Sequence, residues 1–291
     1  MEVCGREIKI RGRIIRTAYL DGEGFQFIED PISAVQALRR SKLKADLYTF
    51  IPRLAEISRG YGYPMVHDNF AVLPVSTFEH WWNQQIGFKA LNKAKPAEKK
   101  GVVIREVPLD DALLHGIHAI YNESPIRQGR RFPHYGKSLD ALRRMKSTFP
   151  DRSIFIGAYL RDTLIGFAKL VADEQWGQGG LMHILSMIQH RDKAPTNALL
   201  AQVVRCCAER QIKYLWYANF SYGRRHSDSL AEFKLRSGFQ KFDLPRYYVP
   251  LTAVVRVALR LGLQRGVFDW VPAPLAVTYR RLRRVALIWS A

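Results

Sequence analysis

The chain has 291 residues, 47% hydrophobic and 24% charged, a balance that sustains one large or two small apolar cores and excludes disorder as the main state. Its 45 Lys and Arg against 26 Asp and Glu leave a formal charge of +19, which points to an anionic partner: nucleic acid, a phosphate-rich ligand or a membrane surface. The three cysteines, Cys4 and the neighbours Cys206 and Cys207, make a poor disulfide framework and read as small buried hydrophobes in a reducing compartment.

The N-terminus lacks the apolar centre of a signal peptide, and no apolar run approaches the roughly 18 to 20 residues of a membrane-spanning helix. A cytoplasmic location is therefore expected, with peripheral contact at the inner membrane face left open. No Cys-x-x-Cys or His-x-x-x-His spacing suggests a metal site.

In chain order, Ile8 to Phe27 is rich in β-branched and aromatic residues, and Asp21-Gly22-Glu23-Gly24 is expected to turn a hairpin. Pro31 to Leu54 suits one or two helices, Tyr63 to Val75 returns to strand-like pieces, and Thr77 to Phe88 reads as a Thr-capped helix holding Trp81 and Trp82. The charged, apolar-poor stretch Asn92 to Gly101 is expected to be a boundary. The division is then 1–98, 99–250 and a tail, 251–291.

A second pattern opens with strand Val102 to Val107 and helix Leu109 to Tyr121, then a long polar, basic segment, Asn122 to Lys137. After a helix near Ser138 to Phe149 come three antiparallel strands, Ile154 to Leu160, Leu164 to Val171 and Met182 to Ile188. The loop His190 to Asn197 leads into an amphipathic helix with Leu200, Val203, Val204 and Cys207 on one face. Strand Tyr214 to Phe220, helix Ser229 to Leu235 and strand Phe239 to Val249 complete the pattern.

This order over Val102 to Leu251 resembles the GNAT acyltransferase superfamily. Leu230-Ala231-Glu232-Phe233-Lys234-Leu235-Arg236-Ser237-Gly238-Phe239 resembles the FK-x-x-(F)G signature of FemABX-like acyltransferases, which carry two GNAT-like units in tandem. Phe88 to Gly101 is similar to the segment by which that family enters its second unit. The resemblance implies an α/β (α+β) fold with a mixed, largely antiparallel sheet flanked by helices, two tandem units and a helical tail. It also implies an N-acyltransferase. The donor expected first is an acyl-coenzyme A thioester, with an aminoacyl-tRNA as the alternative, and the acceptor is an amine of an amino acid, amino sugar or cell-envelope precursor. A basic RNA- or membrane-binding module that catalyses nothing is the alternative from another class.

In such a fold two strands splay apart, the exposed backbone binds the donor arm, and the next helix offers N–H groups to phosphate. Here Ser186, Arg191, Lys193, Thr196 and Asn197 are the candidate donor-binding residues, with Pro195 setting the first helical turn. The loop has no glycine between His190 and Asn197, unlike the R/Q-x-x-G-x-G/A loop of coenzyme A-binding members. Lys234 matches the family's lysine, which implies a phosphate contact or stabilisation of charge on the reacting carbonyl, or else a solvated helix lysine.

The polar segment after Tyr121 supplies acceptor candidates: Arg127, Gln128, Arg130, Arg131, His134 and Tyr135. Glu123 is a candidate base for an incoming amine or a helix-end carboxylate without a task, and His134 is an alternative base. His183 alternates with other residues on the strand beside the cleft, Tyr217 ends the next, and Tyr222 is a candidate acid for the leaving group or an anchor. The tail holds seven Arg and one Asp, and its two amphipathic stripes, with Trp270 and Trp289, suit an anionic bilayer surface or packing on the catalytic unit or a partner.

Overall fold

The structure, a computed structural model, describes residues 2–94, 96–221 and 229–265. Strands β1 (Glu2–Val3), β2 (Arg6–Arg11) and β3 (Thr17–Leu20) lead to helix α1 (Pro31–Arg40), strand β4 (Leu47–Phe50) and strand β5 (Met65–Pro74). Helix α2 (Phe78–His80) continues as a π-helical turn, Trp81–Gln85, followed by α3 (Phe88–Ala94), α4 (Pro96–Lys99) and strand β6 (Val102–Val107). Next come α5 (Asp111–Asn122), the two-residue strands β7 (Ile126–Arg127) and β8 (Arg130–Arg131), α6 (Leu139–Lys146), β9 (Ser153–Leu160), β10 (Thr163–Asp173) and β11 (Gln178–Ser186). The described chain ends with α7 (Pro195–Glu209), β12 (Tyr214–Asn219), α8 (Ser229–Arg236), β13 (Gln240–Pro250) and α9 (Ala253–Arg260).

The described residues form two compact units: 2–23, 27–68 and 244–265 in the first, 24–26 and those within 69–243 in the second. This differs from the linear division at residue 98, for two physical reasons. The charged stretch after Phe88 folds into α3 and α4, which bury Ala90 and Ala97, and Gly87 N–H donates to the Arg236 carbonyl at 2.8 Å, so it belongs to the second unit. The last strand supplies Tyr247 and Val249 to the core of the first unit.

In the first unit the strands run β1-β2-β3-β4-β13. The hairpin joins β2 to β3, with Ile8 opposite Leu20, so its turn lies at residues 12–16 rather than at Asp21 to Gly24. Asp21 instead pairs with Lys9. Helix α1 is capped by Asp30, buries Ala34, Val35 and Leu38, and carries the chain across to β4, which runs parallel to β3. Helix α9 packs Val255 and Leu259 on Leu47 and Tyr248. The remaining tail, 266–291, with both interfacial tryptophans, lies outside the described residues.

In the second unit, from the C-terminal part of β5, the order is β12-β11-β10-β9-β6, antiparallel except for β11 with β12. Strand β10 is buried on both faces from Leu164 to Asp173, as befits a strand covered by helices on each side. Phe167 meets Tyr121 of α5 on one face, and a side chain at Gly166 would meet Leu199 of α7 on the other. The core joins Ile117 and Ile120 of α5, Phe167 and Leu170 of β10, and Val203 and Cys207 of α7. A parallel strand-helix-strand crossing thus occurs once in each unit, β3-α1-β4 and β11-α7-β12.

Candidate active site

The site is built where β11 and β12 separate. Their parallel register covers Gln178–Gly180 against Tyr214–Trp216 and, among the described residues, ends there. Both strands are irregular just beyond the fork. Lys169 of β10 faces His183 while Leu170 faces Leu181, so Met182 is an extra residue on β11. On the other arm, Trp216 faces Val72 and Asn219 faces Phe70, leaving Tyr217 and Ala218 opposite Ala71 alone, and Ala218 takes a positive φ of 49°. Each bulge increases local twist and turns its strand away from regular pairing.

The fork is pinned from its base and from α8. Gly180, the last residue of β11 paired with β12, has no room for a side chain, because a Cβ there would lie 2.2 Å from the Phe25 ring. Lys234 is buried, donates to the Asn219 carbonyl at 2.5 Å and holds its ammonium 4.5 Å from the Tyr217 ring centroid. It is therefore no solvated helix lysine; it fixes the end of β12. Trp81 Nε1 donates to the Ser237 carbonyl at 2.9 Å and ties α8's end to the π-helical turn.

The loop from β11 to α7 closes on itself. The Glu123 carboxylate accepts from the Ile188 N–H at 2.7 Å and the Gln189 N–H at 2.9 Å. It also accepts from Arg127 at 3.0 Å. Arg127 further donates to the Ser186 and Ile120 carbonyls, at 2.9 and 2.6 Å. Desolvation by burial, the largest influence on Arg127, lowers its proton affinity. Glu123 thus holds the end of α5 to the end of β11, and its oxygens are engaged. The Arg191, Lys193 and Ala194 N–H groups donate to Ile188, His190 and Arg191 carbonyls in a tight turn. Lys193 pairs with Asp192 at 2.9 Å, Arg191 is exposed, and Asn197 N–H donates to the Ala194 carbonyl at 3.1 Å. Ser186 and Thr196 share a 2.8 Å hydroxyl hydrogen bond, which joins the end of β11 to the first turn of α7.

The acceptor candidates divide into two groups. Gln128 sits at φ 53° beside Gly129 in the β7–β8 turn, and Arg130, Arg131 and Tyr135 are exposed. His134 turns inward, stacked on Tyr121 with centroids 5.0 Å apart, and comes within 6.4 Å of the His183 ring. Tyr222 lies outside the described residues.

Beneath these imidazoles are two buried lysines that sequence reasoning missed. Lys146 is fully buried, donates to the Tyr121 hydroxyl at 2.8 Å and lies 4.9 Å from the Phe167 ring centroid. Burial, with Lys169 nearby, pushes its pKa down to about 7. Lys169, equally buried, donates to the Lys146 and Thr148 carbonyls at 2.7 and 2.6 Å and to the Thr148 hydroxyl at 2.9 Å. Burial, then Lys146, lowers both histidines, His183 to about 3. The signal for Lys146 was present: it follows Leu142 by four residues and so shares that residue's inward face of α6.

A forked parallel strand pair with a crossing helix at its mouth, together with a second parallel strand-helix-strand crossing in the first unit, makes a GNAT-like fold of the FemABX type. The structure of FemX matches with a TM-score of 0.62 at 10% identity, over 84% of each chain. The C-terminal domain of a putative lysylphosphatidylglycerol synthetase from Agrobacterium fabrum matches with a TM-score of 0.55 at 12% identity, over 87% of this chain and 82% of that one. L-PGS from Bacillus licheniformis matches with 0.54 at 13% identity, over 88% and 84%. No family model and no curated protein matches the sequence. No cluster able to hold a metal ion occurs among the described residues, and no helix there is long and apolar enough to cross a membrane.

Proposed function

We propose that the protein is an N-acyltransferase that takes its acyl group from an aminoacyl-tRNA and gives it to an amine of an amino acid, amino sugar or cell-envelope precursor. One observation carries the choice of donor. Of the backbone N–H groups that follow β11, where a coenzyme A pyrophosphate would seek partners, those of Ile188 and Gln189 are occupied by the Glu123 carboxylate and those of Arg191, Lys193 and Ala194 by the turn before α7. A second diphosphate anion there would meet a resident carboxylate and no glycine-opened cradle. A tRNA asks for no such seat: its 3′ ester enters the fork while its backbone is held by dispersed positive charge, which the +19 chain provides.

The chemistry needs no covalent intermediate. The acceptor nitrogen attacks the ester carbonyl, the new C–N bond forms, the C–O bond to the ribose breaks, and backbone N–H groups of the fork stabilise the oxyanion. Lys234 sets the position of the Asn219 end of that fork. Exposed Arg130 and Arg131 favour an anionic precursor as acceptor, and α9 with its Arg256 and Arg260 favours work beside an anionic membrane face.

Native mass spectrometry of the protein with charged tRNA, coenzyme A and several acyl-coenzyme A chain lengths tests this. A one-to-one complex with charged tRNA alone is expected. Acyl-coenzyme A binding without tRNA binding would overturn the donor and return the chain to thioester chemistry, and silence from both would favour a non-catalytic binding module.

A further inference from the structure

Among the described residues, no acid holds the charge of Lys146. It is packed among Tyr121 of α5, Phe167 and Lys169 of β10, His183 of β11 and His134 of the loop before α6. No carboxylate is among the groups acting on it. The Tyr121 hydroxyl is its hydrogen-bond partner. A lysine placed this way is stable uncharged, with a lone pair able to take a proton.

The path to it is lined. His183 sits directly across from Lys169 on the arm of β11 that has left β12, so this ring belongs both to the fork and to the buried cluster. His134 is half-buried, stacked on Tyr121, and its Nδ1 is buried without a hydrogen-bond partner. The two rings, 6.4 Å apart between centroids, stand at the partly exposed end of the cluster, and Lys146 at its closed end. Both rings are poor bases where they are, so neither is suited to keep a proton.

We propose that Lys146, Tyr121, His134 and His183 form a proton-exchange site that serves the transfer reaction, with Lys146 storing the proton of the attacking nitrogen and reaching it through the imidazoles. This rests on the aminoacyl-transfer reading above. As the C–N bond forms, one proton leaves the nitrogen and passes to the uncharged amine of Lys146. As the ester C–O bond breaks, that proton returns to the leaving ribose oxygen, so the site ends in its starting state. Hydrolysis of the ester by water follows the same balance, with the water's proton in place of the amine's.

Two readouts test it on the full chain. In the first, lysine side-chain and histidine ring resonances are followed by NMR from pH 5.5 to 9.5, with Lys146 assigned by its loss in Lys146→Met. One lysine is expected to titrate near neutrality, with the His134 and His183 rings moving at the same midpoint and losing that transition in the variant. A Lys146 that stays charged through pH 9, or rings indifferent to it, would overturn the proposal. In the second, deacylation of lysyl-tRNA is followed under single-turnover conditions. The wild-type rate is expected to rise with pH through neutrality and Lys146→Met to be about 100-fold slower at pH 8 with a flat profile. A variant with the wild-type rate and profile would overturn the role of Lys146. If the wild-type protein produces no deacylation while Lys146 titrates near neutrality, the donor reading fails and the exchange site stands.

Discussion

A buried lysine beside a second lysine is a stability cost that other contacts must offset, and its pH dependence has a defined sign. An unfolded Lys146 titrates near 10.5 and the folded one near 7. Between these values the unfolded chain holds one more proton, so stability rises with pH across that window, and the penalty is complete below it. Lys146→Met should therefore stabilise the fold by a few kcal/mol at pH 6.5 and by much less at pH 10.5, read from urea denaturation at both. Glu123 is the opposite case. Its carboxylate meets Arg127 and two backbone N–H groups, and Glu123→Gln should cost about 2 kcal/mol, with a cost in the Glu123→Gln/Arg127→Met pair smaller than the sum of the single changes. At this scale the sequence shows which residues carry charge but not what they touch. Glu123 stands out in the sequence as an acid next to a basic segment, and its pairing with Arg127 four residues on is local, but its backbone partners are 65 and 66 residues away in Ile188 and Gln189, and no local pattern encodes them. Lys146 and Lys169 drew no notice, because a lysine in sequence reads as solvent-facing unless helix phase or strand burial is weighed first.

Among the elements, those with a strong period were legible and those shaped by distant contacts were not. Helix α7 and the strands β9, β10 and β13 lie within a few residues of their expected places, since each displays its own apolar face or run. Strand β4 was hidden: its four residues, Leu47 to Phe50, are all buried and follow a helical segment with no Gly or Pro to separate them. The hairpin turn was misplaced because Asp21-Gly22-Glu23-Gly24 has turn chemistry, whereas residues 12–16 close the hairpin through the positive φ of Gly12. The fork itself depends on one such local requirement. Gly180→Ala would force the Phe25 ring from its place, and we expect a loss of about 1–3 kcal/mol together with weaker binding of aminoacyl-tRNA. Thermal denaturation and a filter-binding titration check the two effects separately.

For the whole molecule, the charge of +19 makes a prediction independent of any single residue. If about six phosphates are neutralised, affinity for tRNA should fall roughly 1,000-fold between ~50 and ~200 mM salt, and uncharged and charged tRNA should share that slope. A salt-independent affinity would mean that the positive charge serves another partner. The composition raises the expectation of an anionic partner but says nothing of the distribution of the chain between its two units, because a sequence is read linearly and the first unit is not linear. Its core draws on residues before 68 and again on Tyr247 and Val249. That split has a consequence during synthesis. As the chain leaves the ribosome, residues 2–68 lack their final strand until residues 244–250 have been made, while most of the second unit, within 69–243, is made in between as one continuous segment. The N-terminal residues must wait, so the later-made unit is the one able to fold first, and a nascent chain paused before residue 244 exposes the apolar face of β4 to chaperones.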